Sequence, residues 1–226
     1  MIRRTVPQKT ISKQISLSGV GLHTGKHVNI TFKPAPADTG LVFVRDDVDG
    51  DNLINAHIKY ISNTDRGTNL DNGLFRIHTS EHVLAAITGL DIDNCFICLD
   101  GPEVPIMDGS SKFFINALEQ AKIVEQNVLR EEFFPSEPIS YLCEDTGSKI
   151  SILPDDNYRV NTLVDYKTRV LGEQEASINH ISEFKKEISS ARTFSFLHEL
   201  ETLLENGLIK GGDLNTVSYT HLRAHE

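Results

Sequence analysis

The stretch Ile15-Ser-Leu-Ser-Gly-Val-Gly-Leu-His-Thr-Gly-Lys-His-Val-Asn-Ile-Thr-Phe-Lys33 decides how the chain is read. Ile15, Leu17 and Gly19 alternate with polar positions, and Val28, Ile30 and Phe32 share one face of the following run, so both segments read as strands. Between them Gly19-Val-Gly-Leu-His-Thr-Gly25 makes a tight connection. Its spacing is not G-x-G-x-x-G and a strand, not a helix, follows, which favours a hairpin turn over a nucleotide loop.

Working outward, Pro34-Ala-Pro-Ala-Asp-Thr-Gly40 is a turn segment and Leu41-Val-Phe-Val-Arg45 another strand. A helix is expected over residues 80–88, capped by Thr79 or Ser80, with Gly89 at the place of a C-terminal glycine. Asn94-Cys-Phe-Ile-Cys-Leu99 is a short apolar strand, and residues 101–109 form a loop. A second helix starts at Ser110 or Ser111 and runs to about Val124, with Phe113, Ala117, Leu118, Ala121 and Val124 at helical spacing. A boundary falls near residues 125–130. Strands then return over residues 138–143, 149–153 and 158–164, and helices are expected over residues 181–190 and 196–206. Strands followed by helices, twice over, imply an α+β fold of two related halves.

With 226 residues and a hydrophobic fraction of 39%, the composition is that of a globular chain able to bury its own core. A net charge of -10 argues against holding nucleic acid over a broad surface. The 3 cysteines are too few and odd in number for a secreted disulfide framework. The first ten residues lack the apolar run of a signal peptide, and no stretch reaches the ~20 apolar residues of a membrane span. A cytoplasmic location follows as the default.

Cys95-Phe-Ile-Cys98 has a metal-site spacing, but it lies in a strand, where residues three apart point to opposite faces. Cys95 is expected to lie with Ile97 and Cys98 with Phe96, as core residues. His78-Thr-Ser-Glu-His82 sets an acid beside a histidine in the first turn of a helix. Such a pair supplies a metal ligand and a base for a metal-bound water, or simply an acid favoured by the helix dipole beside a solvated histidine. His23 could project from the glycine-rich turn toward a site. In Ala191-Arg-Thr-Phe-Ser-Phe196 the threonine hydroxyl is either an oxyanion donor or a helix cap.

Taken together, these segments resemble the UDP-3-O-acyl-N-acetylglucosamine deacetylases, the LpxC family of lipid A (lipopolysaccharide) biosynthesis. The stretches that carry the resemblance are Gly19 to Lys26, Lys33 to Gly40, Thr79 to Ala86, Gly89 to Asn94, Gly101 to Ser110, Ala191 to Phe194 and Gly207 to Gly212, in family order. It implies two domains, residues 1–126 and 127–215, each a β-sheet layered against helices, with the site between them. It implies hydrolysis of the N-acetyl group of an acylated UDP-N-acetylglucosamine with Zn2+ as cofactor. By the match, Glu81 is the general base, His82 a zinc ligand and Thr193 an oxyanion donor. The family's acyl-chain passage maps to the segment from Phe194 to Gly212, with Phe196, Leu200 and Ile209 lining it. Phe194 and His23 would touch the substrate, and Lys149 would lie near its phosphates.

The family completes its zinc site with an H-K-x-x-D segment and a later general-acid histidine, and neither pattern occurs here. The second domain is therefore expected to be incomplete and the chain a truncated, inactive copy. Residues 216–226 are read as translated adapter sequence outside the fold. Gly67 stands where many members carry a cysteine near the zinc. Some members continue into a fused dehydratase domain. The competing reading is a non-catalytic module that binds the sugar nucleotide or its acyl chain.

Overall fold

The computed structural model describes residues 2–64, 66–169, 171–196, 199, 203, 205, 207–212 and 216–220. Its centre is a five-stranded mixed sheet. The hairpin Ile15–Val20 and His27–Pro34 forms one side, with Leu17 opposite Ile30. His27–Pro34 pairs antiparallel with Cys95–Leu99, which runs parallel to Leu41–Arg45; Leu53–Asn55 completes the far edge. The alternation seen in the sequence sets the buried face: Val28, Ile30 and Phe32 are all 0% exposed.

Two helices cover that face. α1 (Glu81–Gly89) buries Val83, Ala86 and Ile87, and α2 (Lys112–Gln120) buries Phe114, Ile115, Ala117 and Leu118. These spacings of three and four make one apolar stripe per helix. Phe114 meets Phe32 edge-on, with ring centroids 6.4 Å apart. Each such side chain contributes about 1.5–3 kcal/mol of burial, so a sheet and two short helices suffice for a core. Cys95 and Ile97 join this core, while Cys98 is buried on the other side of the strand. Desolvation pushes the Cys95 thiol up to about 12, which leaves it unreactive as a thiolate.

Several local expectations are corrected. α2 stops at Gln120, not near Val124: Lys122 takes a left-handed backbone, and Ile123–Leu129 is a strand paired with Pro7–Ile11. That strand occupies the segment where the sequence puts a boundary. Phe113 is 43% exposed, because the buried stripe passes through Phe114 instead. Ser80 precedes α1 but makes no side-chain cap; its hydroxyl donates to the Thr68 carbonyl. Gly89 is helical, and the left-handed turn falls on Asp91. Gly89 is small for another reason: a Cβ there would lie 2.1 Å from Phe184 Cδ1.

Phe184 opens α3 (Phe184–Glu187), which with the 3-10 turn Ile181–Glu183 replaces the longer helix expected over residues 181–190. Four second-half strands form two hairpins, Ile139–Leu142 with Lys149–Ile152 and Val160–Asp165 with Glu173–Ile178. Their apolar side chains stay open: Tyr141, Ile150 and Leu163 are 65%, 62% and 66% exposed. Most of the helix expected over residues 196–206 lies outside the described residues. Phe196 itself ends a strand, Phe194–Phe196, paired in parallel with Ser218–Thr220. Val217 is 3% exposed beside Leu22, Ile106, Leu203 and Ile209, so part of the tail that the sequence reading set aside is packed into the fold. The physical reason is the apolar Val217, which completes a small cluster. No helix among the described residues is long and apolar enough to cross a membrane.

The Gly89–Phe184 contact yields the first prediction. Alanine at the last helical position gains less than about 1 kcal/mol of propensity, while overpacking costs about 1–3 kcal/mol. Gly89→Ala is therefore expected to destabilise the chain in chemical denaturation. Adding Phe184→Ala removes the clash, so the two losses should combine to less than their sum; simple additivity would refute the contact.

Candidate active site

Three backbone segments meet at the N-terminal end of α1. The first is the turn of residues 21–25. The second is the segment of residues 66–68 that enters the strand Asn69–Asp71. The third is the loop of residues 101–111. This loop is buried along most of its length, with Glu103 and Ser110 at 0% and Val104 and Ile106 at 1% exposure. It is held as an extra strand by bridges from Pro105 to Gly21 and from Glu103 to His78.

Glu81 and His82 stand where these segments converge. Glu81 Oε2 accepts from the Thr68 backbone N–H at 2.8 Å. Its Oε1 lies 3.8 Å from His82 Nε2, so the two side chains face one space. A Cβ on Gly67 would sit 3.4 Å from Glu81 Oε1, which puts the glycine directly against the carboxylate. The His82 carbonyl accepts from Ser111 Oγ at 3.0 Å, tying the helix start to α2. Burial lowers the His82 pKa, opposed by the charges of Glu81 and Asp108. The imidazole is thus held toward its neutral form, the form that ligates metals.

His23 reaches the same place from the turn. Its backbone N–H donates to Glu103 Oε1 at 2.9 Å, and its Nε2 lies 3.2 Å from the Arg66 carbonyl. Arg66 in turn grips Glu199 through two hydrogen bonds of 3.1 and 2.9 Å. Thr193 is positioned from the second half. Its N–H donates to the Gly109 carbonyl at 2.8 Å, and its carbonyl accepts from Ser218 N–H at 3.1 Å. Gly109 permits this approach: a Cβ there would lie 2.2 Å from the Thr216 carbonyl oxygen and 3.2 Å from Thr193 Cγ2.

The other sequence-derived residues separate. Phe194 and Phe196 share a face of their strand and pack edge-on at 5.5 Å, with Tyr166 5.3 Å from Phe194. Ile209 is buried in the cluster with Leu22, Ile106 and Val217 instead. Leu200 lies outside the described residues. Lys149 begins an exposed hairpin strand, and no hydrogen bond among the described residues links it to Glu81 or His82.

Among the described residues no group of three or more His, Cys, Asp or Glu is arranged to hold a metal ion. Zinc takes three or four protein ligands. The described residues do not bring such a set together around His82.

Sequence reasoning gave Glu103 no role and read Thr79 only as a possible helix cap, whereas the Thr79 hydroxyl donates to Glu103. Thr79 is β-branched, 1% exposed and in the left-handed region at φ 58°, a conformation that costs on the order of 1–3 kcal/mol. Glu103 lies within the stretch Gly101 to Ser110 that resembles the family. A signal was present: an acid between two prolines, Pro102 and Pro105, in a loop that is otherwise mostly apolar or small.

Comparison with known proteins supplies the class. The model of the UDP-3-O-acyl N-acetylglycosamine deacetylase family, LpxC, matches residues 8–221. The chain belongs to this family. It is 41% identical to the bifunctional enzyme LpxC/FabZ of Bacteroides thetaiotaomicron and 44% identical to that of Chlorobaculum tepidum, over 92% and 93% of this chain and 45% of each relative. It is 38% identical to the UDP-3-O-acyl-N-acetylglucosamine deacetylase of Acidithiobacillus ferrooxidans, over 93% of this chain and 69% of that protein. The chain thus spans about half the length of the bifunctional relatives and about two thirds of the other.

His78 and His82 make the stability of the site depend on pH. Burial lowers the pKa of both His78 and His82 from the ordinary 6.5. A depressed histidine binds its proton more readily when unfolded, so stability is full above 6.5 and is lost as pH falls toward the lowered folded values. Thermal unfolding followed from pH 8 downward should show the midpoint begin to fall near pH 6.5. His82→Gln should flatten part of that slope; an unchanged slope in both His82→Gln and His78→Gln would refute the assignment.

Proposed function

We propose that the protein to which this chain belongs hydrolyses the N-acetyl group of UDP-3-O-acyl-N-acetylglucosamine, an early step of lipid A biosynthesis. The observation that carries the reading is the Glu81–His82 pair. A carboxylate oriented by the Thr68 N–H faces a half-buried imidazole whose pKa burial lowers, at the start of a helix inside the family's matching stretch.

In this reading Glu81 is the general base that takes the proton of the attacking water. The Thr193 hydroxyl donates to the oxyanion that forms on the acetyl carbonyl. Phe194 and His23 contact the sugar nucleotide, Lys149 its phosphates, and Phe196, Leu200 and Ile209 the acyl chain. His82 is one ligand of a zinc ion. Because the described residues do not complete that ligand set, no step through the metal is derived, and this chain by itself is assigned no appreciable turnover. We place the reaction in the cytoplasm. The two-part name of the bifunctional relatives supports a second enzymatic part in the complete protein, which we assign to the dehydratase expected from the sequence.

The test uses the complete protein and this chain side by side. In the complete protein, Glu81→Gln should lower kcat by about 10²-fold or more, with acetate release as the readout. This chain should turn over at less than about 1% of the complete protein, since one histidine falls short of the three or four ligands zinc takes. Elemental analysis should find it without tightly held zinc. Full activity of Glu81→Gln would sink the base assignment. Binding of the sugar nucleotide without turnover by the complete protein would favour the non-catalytic module instead.

A further inference from the structure

Glu103 is a fully buried carboxylate, at 0% exposure, and the hydrolysis described above gives it no role. Its oxygens accept four hydrogen bonds. Oε1 receives the His23 N–H at 2.9 Å and the Thr79 hydroxyl at 2.9 Å. Oε2 receives the Thr24 N–H at 2.8 Å and the Thr24 hydroxyl at 2.7 Å. An ionised carboxylate has about four acceptor positions and no donor, so this environment matches its charged form at every position. The pocket is closed to anything larger: a Cβ on Gly21 would lie 2.4 Å from Oε2.

The four donors come from the two sides of the site. Thr24 and His23 lie on the turn, and Thr79 lies two residues before Glu81. Thr79 is also the residue held in a left-handed backbone that a β-branched side chain resists. Strain of this kind persists only where the surroundings impose it. The bond from its hydroxyl to Glu103 is such a constraint, and it aims the first turn of α1. The Glu81 carboxylate then meets the Thr68 N–H at 2.8 Å.

We propose that Glu103 is a positioning residue for the Glu81–His82 pair: its buried carboxylate locks Thr79 and the His23–Thr24 turn into one frame and so sets where the Glu81 carboxylate stands. Removing the charge leaves volume and packing nearly unchanged but puts an amide N–H2 against donors. With Glu103→Gln, one oxygen position becomes a donor facing either the His23 or the Thr24 backbone N–H, and one side of the frame opens.

The proposal rests on the deacetylase reading for its kinetic arm only, so two readouts are needed. The first uses this chain and no substrate. The amide proton of Thr68, held by Glu81, reports where that carboxylate stands. In Glu103→Gln its chemical shift should move toward the unbonded range and its hydrogen exchange should speed up by about 10-fold or more, while core amides such as that of Ile97 keep their protection. An unchanged Thr68 amide in a folded Glu103→Gln protein overturns the proposal. Where Glu103→Gln does not fold, Thr79→Ala removes the one hydroxyl that links the helix start to the carboxylate, and the same shift is expected; its absence is equally decisive against. The second readout uses the complete protein: Glu103→Gln should lower kcat by about 10- to 100-fold with KM changed less than about 3-fold, and Glu103→Asp should recover part of the loss. A wild-type protein without deacetylation would overturn the functional reading while leaving the Thr68 readout to decide the positioning role.

Discussion

A negative charge buried without a cation is among the more expensive things a fold can contain, unless hydrogen bonds replace the water it has lost. Glu103 is fully buried, and among the described residues its oxygens accept from two backbone N–H groups and two threonine hydroxyls. Those donors belong to the hairpin turn and to the approach to α1, which are far apart in sequence. The carboxylate is satisfied only when both segments are in place. That single requirement couples the central sheet to the helix that presents Glu81 and His82.

The packing around the carboxylate is dense enough to make small residues obligatory. Gly21 lies against its Oε2, and Gly109 lets the loop of residues 101–111 meet Thr193 and Thr216 backbone to backbone. The loop therefore touches most of the elements around the candidate site. It holds the turn through Pro105, the segment before α1 through the His78 bridge, α1 through Ser111 on the His82 carbonyl, and the second half through Gly109. The N-terminal half is built around this loop and its core closes well. The second-half hairpins leave tyrosine, isoleucine and leucine side chains in solvent, while the frame of the candidate site is built by the first half with Thr193 docked onto it.

Much of the first half was legible because its periodicity is unambiguous. The alternation of Val28, Ile30 and Phe32 fits a strand only, and the helix expected over residues 80–88 is found at Glu81–Gly89. The opposite-face reading of Cys95 and Cys98 followed from strand geometry alone. Errors came where tertiary contacts override local signals. Gly89 looked like a C-terminal glycine, but the ring of Phe184, from a distant segment, is what needs the space. The apolar pattern of α2 continued past Gln120 in the sequence, yet pairing with Pro7–Ile11 turned residues 123–129 into a strand. Of the residues read as lining an acyl passage, Phe196 packs against Phe194 and Ile209 lies in the cluster with Leu22.

The sequence by itself determined the α+β class, the hairpin and helices of the first half, and the family, because these depend on local period and on matched motifs. It also pointed to Glu81 and His82 as chemically interesting neighbours. Only the tertiary structure decided that Glu81 is oriented by Thr68, that Thr79 is held in a strained backbone, and that Glu103 is the acceptor binding the turn to the helix. The reason is physical: a hydrogen-bond acceptor shows its meaning through its donors, and the donors of Glu103 lie 24 residues away at Thr79 and about 80 residues away at His23 and Thr24.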